Sequence, residues 1–263
     1  EVQNSRELGF MTNPGHHGSR ILRRMRELGK PLEVAIAIGH HPALLMAAVS
    51  QLAGIGGELE ACGGLLGEPL EMVCAETVDL MVPARAEIVI EGVIDTDPTA
   101  VRQEGPFGEY PRYYTGVGPA PYVKPTAVTM RKNAIYQTVF SGHIEHTCLG
   151  ALPRMGSLYR RVREAVPSVT MVNLPVSGMG RAHAYISVKK ARDGEPKQAA
   201  FAALAVDSLI KHVFVVDDDV DVFDEAEVLW CMCTRFQADR DLAIIPYALG
   251  NRLTPKSYGI DRN

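Results

Sequence analysis

The sequence predicts an α+β protein in two parts: helix-decorated antiparallel strands, barrel-like in outline, followed by a half in which helix and strand alternate. Three observations carry that prediction. Residues 70 to 94 hold short alternating strands, clearest in Ala86-Glu87-Ile88-Val89-Ile90-Glu91-Gly92. Further strand signals at Thr126 to Arg131 and Ile135 to Phe140 flank Lys132-Asn133-Ala134, which suits a hairpin turn. After about residue 148 helical and extended segments alternate as they do in α/β domains. The boundary falls between residues 142 and 150, and the chain has neither internal repeat nor low-complexity tract.

Taken in order, Ile21, Leu22, Met25 and Leu28 recur at helical spacing with arginines between them, and Gly29 is placed to end that helix. Glu33 to Ile38 reads as a strand entering Gly39-His40-His41-Pro42, after which Ala43 to Val49 is helix-prone. Residues 51 to 69 are glycine-rich and small. In the second half Leu158 to Ala165 reads as helix, Ala182 to Lys189 as strand, Lys197 to Ser208 as an alanine-rich helix and His212 to Val216 as strand. Asp224, with Glu227 three residues on, opens a capping-box-like helix towards Arg235, and Leu242 to Ile245 reads as a last short strand.

The chain has 263 residues and a formal net charge of -4. Its Lys and Arg are spread among Asp and Glu, so it lacks the basic footprint of a nucleic-acid or anionic-membrane binder. No apolar run approaches the roughly 20 residues that span a bilayer, and no signal-peptide layout opens the chain, so a cytoplasmic protein is expected. Cys62, Cys74, Cys148, Cys231 and Cys233 form no C-x-x-C pair and are expected as buried, reduced thiols. The first residues, Glu1-Val2-Gln3-Asn4-Ser5-Arg6, read as the middle of a longer protein.

Chemistry concentrates in Glu104-Gly105-Pro106-Phe107-Gly108-Glu109-Tyr110. In a helix the two carboxylates would diverge by about 140°, and in a strand they would face opposite sides. Pro106 fixes one dihedral while Gly105 and Gly108 permit turns closed to other residues, so a rigid loop can aim both acids into one pocket. Carboxyl groups held close suit general acid/base chemistry, because one stays a proton donor while the other ionises. The plain alternative is a surface turn with two solvated acids, against which stand the aromatic Phe107, Tyr110, Tyr113 and Tyr114.

His16 and His17, in Gly15-His16-His17-Gly18, precede the first helix, where an anion such as phosphate, or a metal, can bind. Glu71 opens a mostly apolar strand, where a cation partner or simple exposure would satisfy it. His40, His41, His143 and His146 are taken as structural, and Asp217-Asp218-Asp219-Val220-Asp221 as a solvated loop rather than a divalent-ion site. The common nucleotide and hydrolase fingerprints are absent.

Several segments together resemble the UbiD family of prenylated-FMN-dependent decarboxylases. They are the Glu104 to Glu109 loop, Leu70 to Leu80 with Val82-Pro83-Ala84, Glu87 to Gly92, and Lys211 to Trp230. The resemblance implies a split β-barrel, flavin-reductase-like domain over residues 1–145, then a C-terminal α/β oligomerisation domain over 146–263. It implies reversible non-oxidative decarboxylation of an aromatic or α,β-unsaturated carboxylic acid by prenylated FMN, the cofactor carrying the hard chemistry. It makes Glu109 the proton donor and Glu104 its partner in the charge network. It further makes His17 and Glu71 ligands of a divalent metal (Mn2+ or Mg2+, with K+ a further candidate) and His16 a neighbour of the cofactor phosphate. A homo-oligomer, dimer or hexamer, is expected.

The family pattern also includes an Arg and a metal-binding Asn on a segment that would precede Glu1; neither Arg6 nor Asn4 fits them. The family's N-terminal domain is missing as well, and Pro255-Lys256-Ser257-Tyr258-Gly259-Ile260-Asp261 looks like a family tail joined early. The sequence as it stands is therefore expected to bind flavin and metal poorly. Leu152-Pro153-Arg154 and the Tyr113/Tyr114 pair are candidates for lining the substrate pocket. Two alternatives stay open: a non-catalytic scaffold or assembly subunit of a carboxylase complex, and a flavin reductase for which the paired acids would be surplus.

Overall fold

The computed structural model describes residues 2–13, 16–50, 57–250 and 253. Gly15 and the tail-like segment from Pro255 to Asp261 lie outside them. The described residues form two compact units, one of 2–48, 57–107 and 114–139, the other of 49–50, 108–113, 140–250 and 253.

The first unit is organised by β6 (Ile88–Ile94), which lies between β3 (Leu32–Ile38) and β9 (Tyr122–Met130). With β2 (Glu7–Gly9) and β1 (Val2–Asn4) beyond β9, the five strands form one antiparallel sheet. One cluster joins Ile94 and Val123 to Leu22 of α1 (His17–Glu27), with Phe10 and Val34 packed around them. Another gathers Val89 with Val82 and Ala86, near the hairpin of β4 (Met72–Cys74) and β5 (Met81–Pro83). The hairpin of β7 (Arg102–Glu104) and β8 (Gly118–Ala120) completes the strands. These sheets are small and antiparallel; closure into a barrel is not seen among the described residues.

Glu91 lies in the middle of β6, 1% exposed. Its carboxylate accepts hydrogen bonds from the Glu76 amide (2.9 Å) and from the Thr77 amide (2.6 Å) and hydroxyl (2.7 Å). Thr77 in turn reaches the Thr126 hydroxyl, 2.6 Å away. Thr126 is the extra residue of a bulge in β9, since Glu91 faces Ala127 and Gly92 faces Pro125. The bulge also accommodates Pro125, which has no amide to give the ladder. At Gly92 a Cβ would sit 2.6 Å from the Lys124 carbonyl, so glycine alone fits there.

The second unit has a three-stranded sheet in the order β10 (Val169–Asn173), β11 (His183–Val188), β12 (His212–Asp217). Its central strand alternates as period 2 requires: Ala184, Ile186 and Val188 enter the larger core, and Tyr185 the smaller. The larger core is closed by α4 (Ile144–Ala165), through Ala151, Leu158 and Val162, and by α5 (Glu195–Val206), through Ala199 and Ala203. The helix α5 is the crossover that lets β11 and β12 run parallel. The smaller core rests on Val228 and Cys231 of α6 (Glu225–Thr234). Asp224 caps α6, accepting from the Ala226 and Glu227 amides, but Glu227 bonds the Asp221 amide and not the cap's own.

Several expectations need correction. Residues 135 to 140 form no strand, because Glu87 takes the chain instead: its carboxylate accepts from the Ile135 amide (3.1 Å) and pairs with Arg131 (2.9 Å). Leu242 to Ile245 is likewise irregular, with Ile244 78% exposed; the short α7 (Ala238–Asp241) precedes it. The small-residue stretch contains α3 (Gly57–Leu66), packed through Cys62 on Ala43 and Ala47 of α2 (Pro42–Ala48). The helix α4 begins well before Leu158, the pattern being broken in sequence by Gly150, Pro153 and Gly156. All five cysteines are free, yet Cys74 and Cys233 are exposed. Among the described residues no helix is long and apolar enough to cross a membrane.

Two stability measurements follow from these contacts. The Glu76 amide, then the Thr77 hydroxyl, hold the Glu91 carboxyl below its ordinary value of 4.5. Its contribution is therefore complete above that value and is lost as the pH falls through the lower folded value. Glu91→Gln should unfold at lower urea than the parent protein at pH 7 and lose less stability on acidification; equal midpoints at pH 7 would contradict the network. Asp224→Ala should cost about 1 kcal/mol in the same assay, and an unchanged midpoint would mean that the α6 cap is idle.

Candidate active site

The two carboxylates of the Glu104 to Glu109 loop are held by different units. Glu104 ends β7 and is 3% exposed. Its Oε2 accepts from Gln3 Nε2 at 3.2 Å, and Gln3 Nε2 also donates to the Gln103 carbonyl at 2.9 Å. Gly9 makes room for it: a Cβ at that position would fall 1.5 Å from Glu104 Oε2. The strand carrying Glu104 is anchored by Arg102, which donates from Nε and Nη2 to Glu7 (3.0 and 2.8 Å) and stacks 4.1 Å above the Tyr122 ring. That pairing holds the Glu7 carboxyl below its usual range.

After Glu104 the peptide Gly105–Pro106 is cis, and Gly105 has φ +88°, where a Cβ would meet the Gly116 carbonyl at 2.5 Å. Phe107 and Thr115 bond twice, the Phe107 amide to the Thr115 hydroxyl (3.1 Å) and the Thr115 amide to the Phe107 carbonyl (2.9 Å). Gly108 has no positive φ, contrary to expectation; the absence of its Cβ serves packing, since one would stand 3.3 Å from Ser141 Cβ.

Glu109 opens a tight turn in the second unit. Its amide donates to the Tyr113 carbonyl, and its carbonyl accepts from the Arg112 amide, both at 3.0 Å. Arg112 sits at φ +64°, unusual for a side chain of its size, and its Nε donates to the Gly142 carbonyl at 3.1 Å. The Glu109 carboxylate folds back on the turn, Oε2 accepting from the Tyr110 amide at 3.0 Å.

Tyr110, 7% exposed, carries the turn inward. The Arg181 guanidinium stacks 4.1 Å above its ring, and His146 meets the ring edge-on at 6.4 Å. Burial raises the Tyr110 pKa, lowers that of Arg181 and, with repulsion from Arg181, lowers that of His146. His146 Nδ1 accepts from the Gly142 amide (3.3 Å), which leaves the proton of the neutral ring on Nε2. Arg154 is neutralised by a two-pronged pair with Asp207, at 3.0 and 2.8 Å. Such a cluster can hold a carboxyl group in fixed orientation beside a mostly dry wall of aromatic and cationic side chains.

The remaining predicted residues lie in the first unit. His16 is the N-cap of α1 and makes no side-chain cap bond, and no acidic residue occupies the first turn, which suits an anion there. His17 Nδ1 lies 3.0 Å from Glu58 Oε1, and Glu71 is exposed and paired with Arg85 at 3.1 Å. Among the described residues no three His, Cys, Asp or Glu side chains gather as a metal's ligands would. Of the pocket candidates, Arg154 is committed to Asp207 while Leu152, Tyr113 and Tyr114 are exposed. In the acidic run Asp219 is bound by Arg235 at 2.8 and 2.9 Å.

The sequence pattern did not single out Gly9, Glu58 or Arg181, and it gave His146 no role. Only Arg181 carried a signal, the Gly178-Met179-Gly180 turn before it, where Met179 and Gly180 take φ +59° and +65°.

The chain matches two family profiles: residues 1–144 the 3-octaprenyl-4-hydroxybenzoate carboxy-lyase Rift-related domain, and residues 147–262 the C-terminal domain of that carboxy-lyase. Anhydromevalonate phosphate decarboxylase of Methanothermobacter thermautotrophicus is 38% identical over 235 residues, 89% of this chain and 55% of that protein. Gallate decarboxylase of Lactiplantibacillus plantarum is 33% identical over 270 residues, 97% of this chain and 55% of that protein. The UbiD-class enzyme HmfF from Pelotomaculum thermopropionicum, in complex with FMN, has a TM-score of 0.94 at 46% identity, covering 98% of this chain and 57% of that one. Apo 3,4-dihydroxybenzoic acid decarboxylase of Klebsiella pneumoniae has a TM-score of 0.89 at 35% identity, covering 97% and 55%. The chain thus spans about half the length of the relatives it matches. Two consecutive domain matches across nearly all of its residues, with solved relatives at this identity, mean that the chain belongs to the UbiD family of carboxy-lyases.

Proposed function

We propose that this protein catalyses the reversible non-oxidative decarboxylation of an aromatic or α,β-unsaturated carboxylic acid with prenylated FMN, Glu109 delivering the proton. The observation that carries the reading is the folded-back Glu109 carboxylate, fixed by the amide of the buried Tyr110 at 3.0 Å, on whose ring the half-buried Arg181 stacks. That amide occupies Oε2 and leaves Oε1 to carry a transferable proton. An evolved dimeric form of HmfF binds prFMN, which supports the cofactor, and a homo-oligomer is part of the proposal. So is a division near residue 145 into a split-barrel cofactor domain and an oligomerising domain.

When bound, the cofactor activates the substrate carbon towards loss of carbon dioxide. The bond from that carbon to the carboxylate breaks, its electron pair stays on the carbon, and the proton of Glu109 replaces the departing group. Glu109 then recovers a proton from solvent. Glu104, buried and oriented by Gln3, is the second acid of the proposed charge network.

The uncapped start of α1, with His16 beside it, fits the phosphate end of the cofactor. A divalent ion fits only in part. Glu58 takes His17 Nδ1 and leaves Nε2 open, and Glu71 would exchange Arg85 for the ion. Two donors are too few for Mn2+ or Mg2+, so cofactor phosphate and residues outside this sequence would supply the others, and no step is routed through the metal.

In full-length protein loaded with prenylated FMN, Glu109→Gln should lower kcat by roughly 10²–10⁴-fold and abolish solvent hydrogen exchange at the product carbon, with the flavin spectrum unchanged. Retention of both activities would sink the donor assignment. Gly9→Ala should displace the Glu104 carboxylate while leaving the fold intact, and so lower kcat by about 10²-fold at near-parental thermal stability. Parental kcat in that variant would show that the position of Glu104 does not matter.

A further inference from the structure

Arg181 is a cation without an ion-pair partner among the described residues. Its neighbour Arg154 is neutralised by Asp207, but Arg181 itself donates only to the Met179 carbonyl, at 3.2 Å. A guanidinium has five donors, and holding one half-buried with most of them unfilled by protein is costly. Burial already lowers its pKa, while Tyr110 and, more weakly, Glu109 raise it.

The placement of this side chain is built in. The turn that delivers it uses left-handed backbone at two successive positions, Met179 and Gly180. On the facing helix a Cβ at Gly150 would fall 2.2 Å from Arg181 Nη2, so α4 is hollowed where the guanidinium passes. The other face of the contact is the Tyr110 ring, which His146 holds at its edge. A ring fixed on face and edge fixes its own backbone, and that backbone amide binds Glu109.

We propose that Arg181 is a positioning residue: by stacking on Tyr110 it aims the Tyr110 amide at Glu109 and so holds that carboxyl group in its proton-delivering orientation. The inference rests on the reading of Glu109 as proton donor, yet its geometric half stands apart from turnover. The contact is between the ring face and the planar guanidinium.

The test uses full-length protein with selectively 15N-labelled tyrosine, and the same protein loaded with prenylated FMN for kinetics. Glu109→Gln assigns the Tyr110 amide resonance and shows where it moves when the carboxylate is lost. Arg181→Met should move it the same way and lower kcat by about 10²-fold with KM within about twofold. Tyr110→Leu should match Arg181→Met, and the double variant Arg181→Met/Tyr110→Leu should be no worse than either. Arg181→Lys, which keeps a cation over the ring, should recover part of kcat and guards against a variant that fails to fold. An unmoved Tyr110 amide in Arg181→Met, a raised KM at parental kcat, or additive losses would each overturn the proposal. If Glu109→Gln proves fully active while the amide still moves, the donor reading fails and the positioning contact survives.

Discussion

The first unit depends on satisfying one buried carboxylate. Glu91 stands in the central strand of its sheet, where water cannot reach it, and an unbonded charge there would outweigh much of the surrounding apolar packing. Two amides and a hydroxyl from the β4–β5 loop meet it, and the hydroxyl is held in turn by the bulged Thr126. One group therefore ties the loop, the central strand and its neighbour together. Such a network has essentially one arrangement, which fixes strand register more firmly than apolar contacts alone could.

The candidate site is shaped as much by missing atoms as by those present. Gly9 vacates the volume that Glu104 Oε2 fills, Gly105 passes beneath the Gly116 carbonyl, and Gly150 leaves a channel for Arg181. Backbone at these points approaches neighbouring atoms more closely than any Cβ permits, so the positions of these groups are set by rigid main chain. The turn after Glu109 adds a non-glycine residue in left-handed conformation, Arg112, fastened to the Gly142 carbonyl. Conformations of this kind persist where the surroundings over-determine them, and they commonly accompany functional sites.

Much of the fold was legible because it obeys simple periodicity. The stripe of α1, the alternation of β6 and β11, and the acidic cap of α6 follow directly from residue spacing. The errors share a cause. Ile135 to Phe140 and Leu242 to Ile245 have strand-like composition, but a strand forms only where a partner offers a ladder; in the first case Glu87 offers a side chain instead. The helices α3 and the first half of α4 were hidden because glycine and proline lower local propensity, and packing of small residues against neighbours restores what propensity withholds.

The sequence by itself determined the candidates for chemistry, two acids on a glycine–proline loop and histidines at a helix start, and the family to which the pattern belongs. Only the tertiary structure decided how they are held. It paired His17 with Glu58, gave Glu71 to Arg85, buried Glu104 against Gly9, and set Arg181 over Tyr110 beside Glu109. Side-chain type and local spacing are properties of the chain. Orientation and burial belong to contacts between residues that the sequence separates by dozens of positions, and those distances close only when the sheets and helices have packed.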